Sequence, residues 1–367
     1  MKRLILWVLL VTLASPLSLL GAPSDALSQA RQVVYDYFDL RYQSLNQLQL
    51  QPGFVQLFTL SNLTPGAFSE VERLQALITY RQAQSIDLRL ADDFSFTLTF
   101  RGMEVRGNSV ELWVVEEFSF HFLCQPTQPL TGRSEHHFRL TRLANRGWLV
   151  SSLDSQDPDG FHALLDSYLA ASDGNKSAAL AALLEGVRQQ DAAWNQHFAQ
   201  QLAPFPQLML FRQGQSYAWF GERGAAALEQ NQVGSEMLTP ILYDAELYLP
   251  LRVTVEALGG AVVWDGQGGI QVLINGREMR LHLEHLNYAI DGSDYVLTRP
   301  LPLVANRIML PATLLAEILE RQLYLDHEGL AVLARGALPA ATQVELQRAL
   351  AVIYPERFSQ VQRFTLP

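Results

Sequence analysis

The chain has 367 residues, of which 49% are hydrophobic and 17% are charged, and its formal net charge is −10. This length and hydrophobic content are sufficient for two domains with their own cores. The acidic balance excludes a nucleic-acid binder that relies on overall positive charge, because such proteins carry a concentrated basic surface. The single cysteine, Cys124, excludes an intramolecular disulfide, so the fold must be held together by its core.

Residues 1–26 are predicted to be a secretory signal peptide. Two basic residues precede an apolar run over residues 4–14, and Ser24-Asp25-Ala26 is a small-x-small cleavage pattern. We expect cleavage before Leu27. The alternative is an uncleaved membrane anchor, although the run is shorter than the about 20 residues that a membrane span needs. The protein is therefore predicted to be secreted, and to be extracellular or associated with the cell surface.

Residues 27–157 are predicted to form helices followed by antiparallel strands. Apolar residues recur at helical spacing over 27–45 and 69–84. The period then changes to two, which predicts strands at 85–90, 95–100, 109–123, 136–143 and 148–153. Helices followed by a curled antiparallel sheet make an α+β cone.

This region resembles the NTF2-like module that precedes an amidase domain in secreted bacterial proteins. The resemblance lies in Tyr37-Phe38-Asp39-Leu40-Arg41-Tyr42-Gln43-Ser44-Leu45, Tyr80-Arg81 and Gly147-Trp148-Leu149-Val150. The amidase itself, with its catalytic cysteine and histidine, has no counterpart downstream. The resemblance therefore implies an accessory module.

A candidate pocket lies in this module. Strand alternation places Glu116 on one face with Phe118 and Phe120, and His137 and Trp148 complete the candidate set. A carboxylate in an apolar cavity can serve as a general acid or base, which would suit a hydrolase acting on wall peptides. In the other interpretation a helix covers this face of the sheet and Glu116 pairs with an arginine.

Residues 158–205 are predicted to be a helical connector. The stretch is rich in alanine, glutamine and leucine, and apolar residues occur at helical spacing on both sides of Asp173-Gly174-Asn175-Lys176. We interpret it as two helices, which either pack on one neighbour or space the two modules apart. Residues 336–367 are predicted to add one amphipathic helix, over 344–353, and a tail.

The segment 248–274 is repeated in one ungapped register downstream. The equivalent positions are Leu249-Pro250 and Leu310-Pro311, Glu256 and Glu317, Leu258 and Leu319, Asp265 and Asp326, and Gly268 and Gly329. Proline suits the boundary between an extended segment and a helix, and Gly259-Gly260 suits a helix end. The strands and the turn that follow make each copy a helix laid against a hairpin.

The motifs of the first copy resemble the copper amine oxidase N-terminal-like, or stalk, domain of bacterial envelope proteins. They are Leu249-Pro250-Leu251-Arg252, Glu256-Ala257-Leu258-Gly259 and Val263-Trp264-Asp265. The predicted stalk domain covers residues 206–335. The second copy departs from the family pattern, with Thr313 in place of arginine and Glu320 in place of glycine.

The family name does not imply oxidase chemistry in this chain. None of the eight histidines forms a His-x-His pair, and Asn287-Tyr288 lacks the flanking residues of a quinone-forming motif. His282 and His285 are expected on opposite faces of a strand, which argues against zinc. We predict no metal and no cofactor, and the purified protein is expected to bind no stoichiometric copper.

Trp264 is predicted to be buried between the helix and the sheet of the first copy, and its replacement by alanine would then cost about 3–5 kcal/mol. The alternative is that Trp264 and Tyr324 grip a sugar of the wall.

Together these features predict an α+β protein with three parts: an NTF2-like cone, a helical connector and a duplicated helix-plus-hairpin stalk domain. Its predicted role is that of a secreted, non-catalytic binding or scaffold protein of the cell envelope. The expected partner is a cell-wall polymer or another envelope protein and not nucleic acid, and the chain would touch the membrane only through an uncleaved signal segment.

Overall fold

The computed structural model describes residues 24–59, 67–156, 160–229, 237–326 and 328–362. The predicted signal peptide lies almost wholly outside these ranges. Within them, no helix combines the length and the apolar character that a membrane span requires.

Within the described ranges, the N-terminal module packs three helices on one antiparallel sheet. The helices are α1 (Ser24–Gln47), α2 (Pro52–Gln56) and α3 (Glu70–Gln82), and the strands are β1 (Ser95–Arg106), β2 (Ser109–Phe122), β3 (Gln125–Leu143) and β4 (Gly147–Ser155). The strands follow one another in the sheet in chain order. The buried side chains of α1, with Phe38 at their centre, pack against Phe138 of β3. This arrangement confirms the predicted α+β class.

Three strand predictions in this module differ from the structure. Strand β1 continues beyond the predicted residue 100 to Arg106, past a register shift between Phe100 and Gly102 that interrupts the alternation. Residues 85–90 are not a strand and form only isolated bridges, at Ile86 and Leu90. Strand β3 begins well before the predicted residue 136, at Gln125. Its first half contains two prolines, which hid the strand pattern, and they are tolerated because β4 pairs with β3 only from His136 onward.

The connector consists of two helices, α4 (Phe161–Ala171) and α5 (Lys176–Leu202), as predicted. Its buried residues, among them Leu183 and Phe198, belong to a single core cluster that also contains Phe38 and, from the stalk domain, Leu210. An ion pair of 2.8 Å between Lys176 and Glu72 also ties α5 to the capping box of α3. The connector therefore packs on both neighbours.

In its described residues, the stalk domain contains three sheets. Its strands are β5 (Leu208–Arg212), β6 (Tyr217–Phe220), β7 (Ala225–Ala227), β8 (Ile241–Tyr243), β9 (Glu246–Pro250), β10 (Ala261–Trp264), β11 (Gly269–Ile274), β12 (Arg277–His282), β13 (Asn287–Ile290), β14 (Ser293–Val296), β15 (Leu303–Val304), β16 (Arg307–Pro311), β17 (Gln322–Leu325) and β18 (Leu330–Ala334). The sheet orders are β17-β18-β5-β6-β7, β15-β16-β9-β8 and β10-β11-β12-β13-β14. Its helices are α6 (Leu251–Ala257) and α7 (Ala312–Ile318), and the C-terminal helix α8 (Ala340–Gln362) follows the stalk domain and accepts a hydrogen bond from Trp194 of α5 at the Ile353 carbonyl.

The two predicted copies correspond element by element. Strands β9 and β16 pair antiparallel with the equivalent residues Leu249 and Leu310 opposite each other, so the copies meet about a local two-fold axis. Pro250 and Pro311 immediately precede α6 and α7. The two hairpins then separate, because β10–β11 begins the five-stranded meander whereas β17–β18 pairs with β5.

Equivalent side chains also make equivalent contacts. Asp265 Oδ1 accepts from the backbone N–H groups two and four residues later, at 2.7 and 2.9 Å, and Asp326 Oδ1 does the same at 2.9 and 2.8 Å. The carbonyl of Glu256 accepts from Arg223 at 2.9 Å, and that of Glu317 accepts from Arg277 at 2.8 Å. The repeated residues therefore fix the turns and helix ends.

The helix ends differ in the residue that takes the left-handed conformation. Gly259 follows α6 with φ 83°, whereas Glu320 follows α7 with φ 53°. We expect Glu320→Gly to raise the free energy of unfolding by about 0.5–1 kcal/mol, because a side chain is strained there. Gly259→Ala should lower it by about 1 kcal/mol through backbone strain alone, since an added Cβ would contact nothing within 4 Å. Urea unfolding midpoints of the two variants test this prediction. A loss of stability in both variants would show that Glu320 is not strained by its left-handed conformation.

The prediction that Trp264 is buried is wrong, because 58% of its surface is exposed. Val262, on the same face of β10, is buried, but Trp264 is the last residue of this end strand and extends beyond the core. Its equivalent in the second copy, Leu325, is also exposed. This position therefore lies at the margin of the core in both copies, and the large stability loss expected for a buried tryptophan does not apply.

Candidate functional site

A chain of four polar side chains lies inside the N-terminal module. The hydroxyl of Tyr42 donates to Glu116 Oε1 at 2.7 Å, and Glu116 Oε2 lies 3.2 Å from His136 Nε2. On the other side of the imidazole, His136 Nδ1 lies 2.9 Å from Ser155 Oγ. Only 1% of the Glu116 side chain and 2% of the His136 side chain are exposed. The carboxylate is therefore partnered on both oxygens and shielded from solvent.

Aromatic rings pack around Tyr42 and His136 of this polar chain. The Tyr42 ring stacks on those of Phe94 and Phe96, with centroid distances of 5.5 and 5.4 Å, and Phe38 contacts the His136 ring edge-on at 5.0 Å. Burial, reinforced by the nearby Glu116 carboxylate, raises the pKa of the Tyr42 phenol. The hydroxyl thus stays protonated and serves as a donor. The arrangement ties α1 to the sheet and leaves no room for a substrate at the carboxylate.

The interpretation with a helix over Glu116 fits the structure, since α1 covers this face, but the expected arginine partner is wrong. Tyr42 and His136 take its place because α1 presents a tyrosine there and β3 presents an imidazole. Neither partner was selected from the sequence. The adjacent histidines at 136 and 137 were the available signal, and the β2–β3 register decides which of them meets Glu116.

The other residues of the predicted pocket lie only partly on the Glu116 side of the sheet. His137 lies on the opposite face of the sheet, where it stacks on Trp113 at 4.6 Å and contacts Glu111 at 3.2 Å. Phe118 and Phe120 are half-buried and stack on each other at 5.6 Å. Trp148 is buried in the core. Strand alternation therefore places Phe118 and Phe120 on the same face of β2 as Glu116, as predicted, with Phe120 6.3 Å from the Tyr42 ring, but it places His137 of β3 on the opposite face.

The histidine pair of the stalk domain is arranged differently from the expectation. The His282 and His285 rings stack at 4.1 Å instead of pointing apart, because β12 ends at His282 and the chain turns. His282 Nε2 lies 3.1 Å from the Gln267 carbonyl oxygen, and its Nδ1 accepts from the Glu284 N–H. Across the described part of the chain, no three potential metal-binding side chains are grouped.

An open groove with a volume of about 1060 Å³ lies in the stalk domain beside α6. Its walls are largely aliphatic. They include Leu228, Leu238, Leu251, Val253, Val262, Ile270, Leu283, Leu303 and Ile308. Trp264 lines this groove, so its exposed ring contributes an aromatic surface to a concave apolar site. Such a combination is typical of sites that bind a ligand or a partner segment.

Three arginines give the groove a positive margin. Arg252 forms an ion pair of 3.5 Å with Glu256, and Arg307 forms one of 2.6 Å with Glu229. The exposed Arg223 donates to the Glu256 backbone carbonyl and, within the described ranges, is not paired with a carboxylate. The groove margin thus carries three guanidinium groups, and two of them are paired with carboxylates. The local excess of positive charge contrasts with the overall charge of −10.

The comparisons with known proteins agree with the sequence resemblance of the stalk region. Residues 228–333 match the family described as copper amine oxidase N-terminal domain. The match covers the helix of each copy, the sheets β15-β16-β9-β8 and β10-β11-β12-β13-β14, and strands β17 and β18 of the third sheet. This family is a non-catalytic module, as the sequence resemblance implied. The search among curated proteins gives no match.

Several solved structures align with the chain at low similarity. An NTF2-like superfamily protein from Salmonella enterica serovar Typhimurium is 13% identical, with 36% of this chain and 93% of that chain covered and a TM-score of 0.25. A domain with a cystatin-like fold from Nostoc punctiforme is 14% identical, with coverage of 45% and 99% and a TM-score of 0.25. A protein of unknown function from Mycobacterium tuberculosis is 15% identical, with coverage of 46% and 94% and a TM-score of 0.26.

Proposed function

We propose that the chain is a secreted, non-catalytic binding protein of the cell envelope that holds its partner in the groove of the stalk domain. The observation that carries this proposal is the exposed Trp264 ring at an open, mostly aliphatic groove. Exposed aromatic side chains beside a concave apolar surface are the usual anchors of binding energy. The partner is a cell-wall polymer or another envelope protein.

The N-terminal module has a structural role in this proposal. Glu116, the carboxylate that a hydrolase would need, is shielded by stacked aromatic rings and held by Tyr42 and His136. A general acid or base must reach its substrate within hydrogen-bond distance. The connector packs the module firmly against the stalk domain, so the module supports the binding surface.

The proposal predicts that Glu116→Gln leaves binding intact. The protein comprising residues 27–367 is incubated with fractionated cell envelope, and capture is compared between the wild type and this variant. Both should be captured equally, and neither should hydrolyse wall fragments. Glutamine can still accept from Tyr42, but it replaces a charged acceptor, so the free energy of unfolding should fall by about 1–2 kcal/mol.

A specific result would overturn the proposal. Turnover of wall fragments by the wild type that vanishes in Glu116→Gln, while the variant remains folded under the assay conditions, would make the N-terminal module a hydrolase with Glu116 as its base. Absence of any captured envelope component would remove the binding function itself.

A further inference from the structure

The groove is bordered by strands that end their sheets. In the described ranges β7, β10 and β15 are each the terminal strand of a different sheet, and each contributes to the groove lining, through Ala226–Ala227, Trp264 and Leu303 respectively. A terminal strand has unpaired backbone N–H and C=O groups along its free edge. The groove therefore combines apolar walls with backbone groups that can pair with an added strand.

The longest of these three strands is β10, whose residues alternate in a way that suits such pairing. Val262 and Trp264 point to the groove side, while Val263 lies on the opposite face and is 50% exposed. A strand added along β10 would place every second side chain over the groove, where aliphatic residues could contact its walls. The remaining side chains would lie on the side of Val263.

The positive charge of the groove margin favours an added strand that carries acidic groups. Arg223 is exposed and carries no carboxylate partner within the described ranges, and Arg252 and Arg307 are each about half exposed at 52% and 46% of their side chains. Guanidinium groups bind carboxylates through two parallel hydrogen bonds. An acidic side chain or a terminal carboxylate on the added strand would meet these donors.

We infer that the groove binds an extended polypeptide segment in which apolar and acidic residues alternate, and that the segment pairs with the free edge of β10. This rests on the proposed binding function and identifies the partner as a protein and not a wall polysaccharide. The aliphatic walls favour a peptide, because a sugar ring packs best on aromatic faces and the groove offers chiefly leucine, valine and isoleucine beside Trp264.

The first test is a titration of the protein with a fluorescein-labelled peptide in which valine alternates with glutamate. Two further peptides carry N-methyl groups on alternate residues, one in each register, and a fourth has lysine in place of glutamate. The N-methylated peptide of the pairing register and the lysine peptide should each bind about tenfold more weakly, or worse, because ladder hydrogen bonds and charge pairs are lost. Equal binding of all four peptides would overturn the inference.

Variants of the protein locate the site. Arg252→Gln and Arg307→Gln should weaken binding of the glutamate peptide and reduce its salt dependence. The matched control is Arg106→Gln, which removes a similarly exposed arginine, paired with Glu104 at 2.8 Å in the N-terminal module. An equal effect of the control would show that the charges of the groove are not involved.

A second test distinguishes failure of this inference from failure of the proposed function. Fractionated envelope is treated with protease before capture, and oligogalacturonate serves as an anionic sugar competitor. Capture that is lost after proteolysis and resists the sugar supports the inference. Capture that survives proteolysis, or is displaced by oligogalacturonate, overturns the peptide assignment and leaves the binding function standing. Absence of capture from untreated envelope overturns both.

Discussion

Gly214→Ala is expected to lower the free energy of unfolding by about 2–4 kcal/mol, the largest stability effect that we predict for a single methyl group here. Gly214 has φ 68°, and an added Cβ would lie 2.6 Å from Cys124 Cα and 2.9 Å from Cys124 N. These are backbone atoms, so they cannot rotate away. Left-handed strain and overpacking therefore act together.

The site of this strain is the junction between the N-terminal module and the stalk domain. The Gly214 carbonyl accepts from the Asp87 N–H at 2.6 Å, and its own N–H donates to the Pro240 carbonyl at 2.9 Å. Nearby, the Gln213 side chain donates to the Leu123 carbonyl at 2.9 Å. A displaced turn would lose these bonds, so we expect the variant to loosen the contact between the two parts.

Urea unfolding of Gly214→Ala and Gly276→Ala isolates the effect of the close contact. Gly276 has φ 77° in the turn between β11 and β12, and an added Cβ would contact nothing within 4 Å. The control should lose only the about 1 kcal/mol that a left-handed alanine costs. Equal losses in the two variants would show that the turn does not press against Cys124.

Trp264→Ala is expected to weaken capture of the envelope partner by about tenfold or more, while leaving the thermal unfolding midpoint within about one degree of the wild type. The side chain is 58% exposed, so its removal leaves no cavity in the core. At the groove, the same removal takes away the aromatic surface proposed to anchor the partner. Loss of function without loss of stability is thus the expected signature.

Trp113→Ala is the matched control for this prediction. Trp113 is 38% exposed and stacks on His137 on the outer face of the N-terminal sheet, away from the groove. The control should retain full capture. A Trp264→Ala protein that melts several degrees lower would instead return this residue to a structural role, and equal loss of capture in both variants would indicate a nonspecific effect of surface tryptophans.

The repeat in the sequence predicted much of the stalk domain because its key residues act locally. Pro250 and Pro311 occupy the N-cap positions of α6 and α7. The Asp265 and Asp326 carboxylates accept hydrogen bonds from backbone N–H groups of the turns that follow them. Each of these contacts spans a few residues, so the pattern alone is sufficient to infer it.

The position of Trp264 and the partners of Glu116 could not be predicted in this way. A run of Val-Val-Trp predicts a strand, but the position of the core margin along that strand depends on how far α6 extends over it. Whether His136 or His137 meets Glu116 depends on the register between β2 and β3, which is set by contacts distant in sequence. Both outcomes depend on tertiary packing.

The packing of the connector is another feature that the sequence pattern could not predict. Helical spacing predicted α4 and α5 correctly, yet left open whether they separate the modules or join them. Leu183 and Phe198 of α5 lie in one core with residues from both neighbours. Since apolar spacing identifies a buried face but not what buries it, the continuous core emerges only from the structure.

The most direct test of the account is one titration of fractionated envelope with three proteins: the wild type, Glu116→Gln and Trp264→Ala. Binding through the stalk groove predicts that Glu116→Gln matches the wild type, whereas Trp264→Ala binds about tenfold more weakly or not at all. The opposite ranking, with Trp264→Ala equal to the wild type and Glu116→Gln impaired although it remains folded in the assay, would contradict the account and transfer the functional site to the N-terminal module.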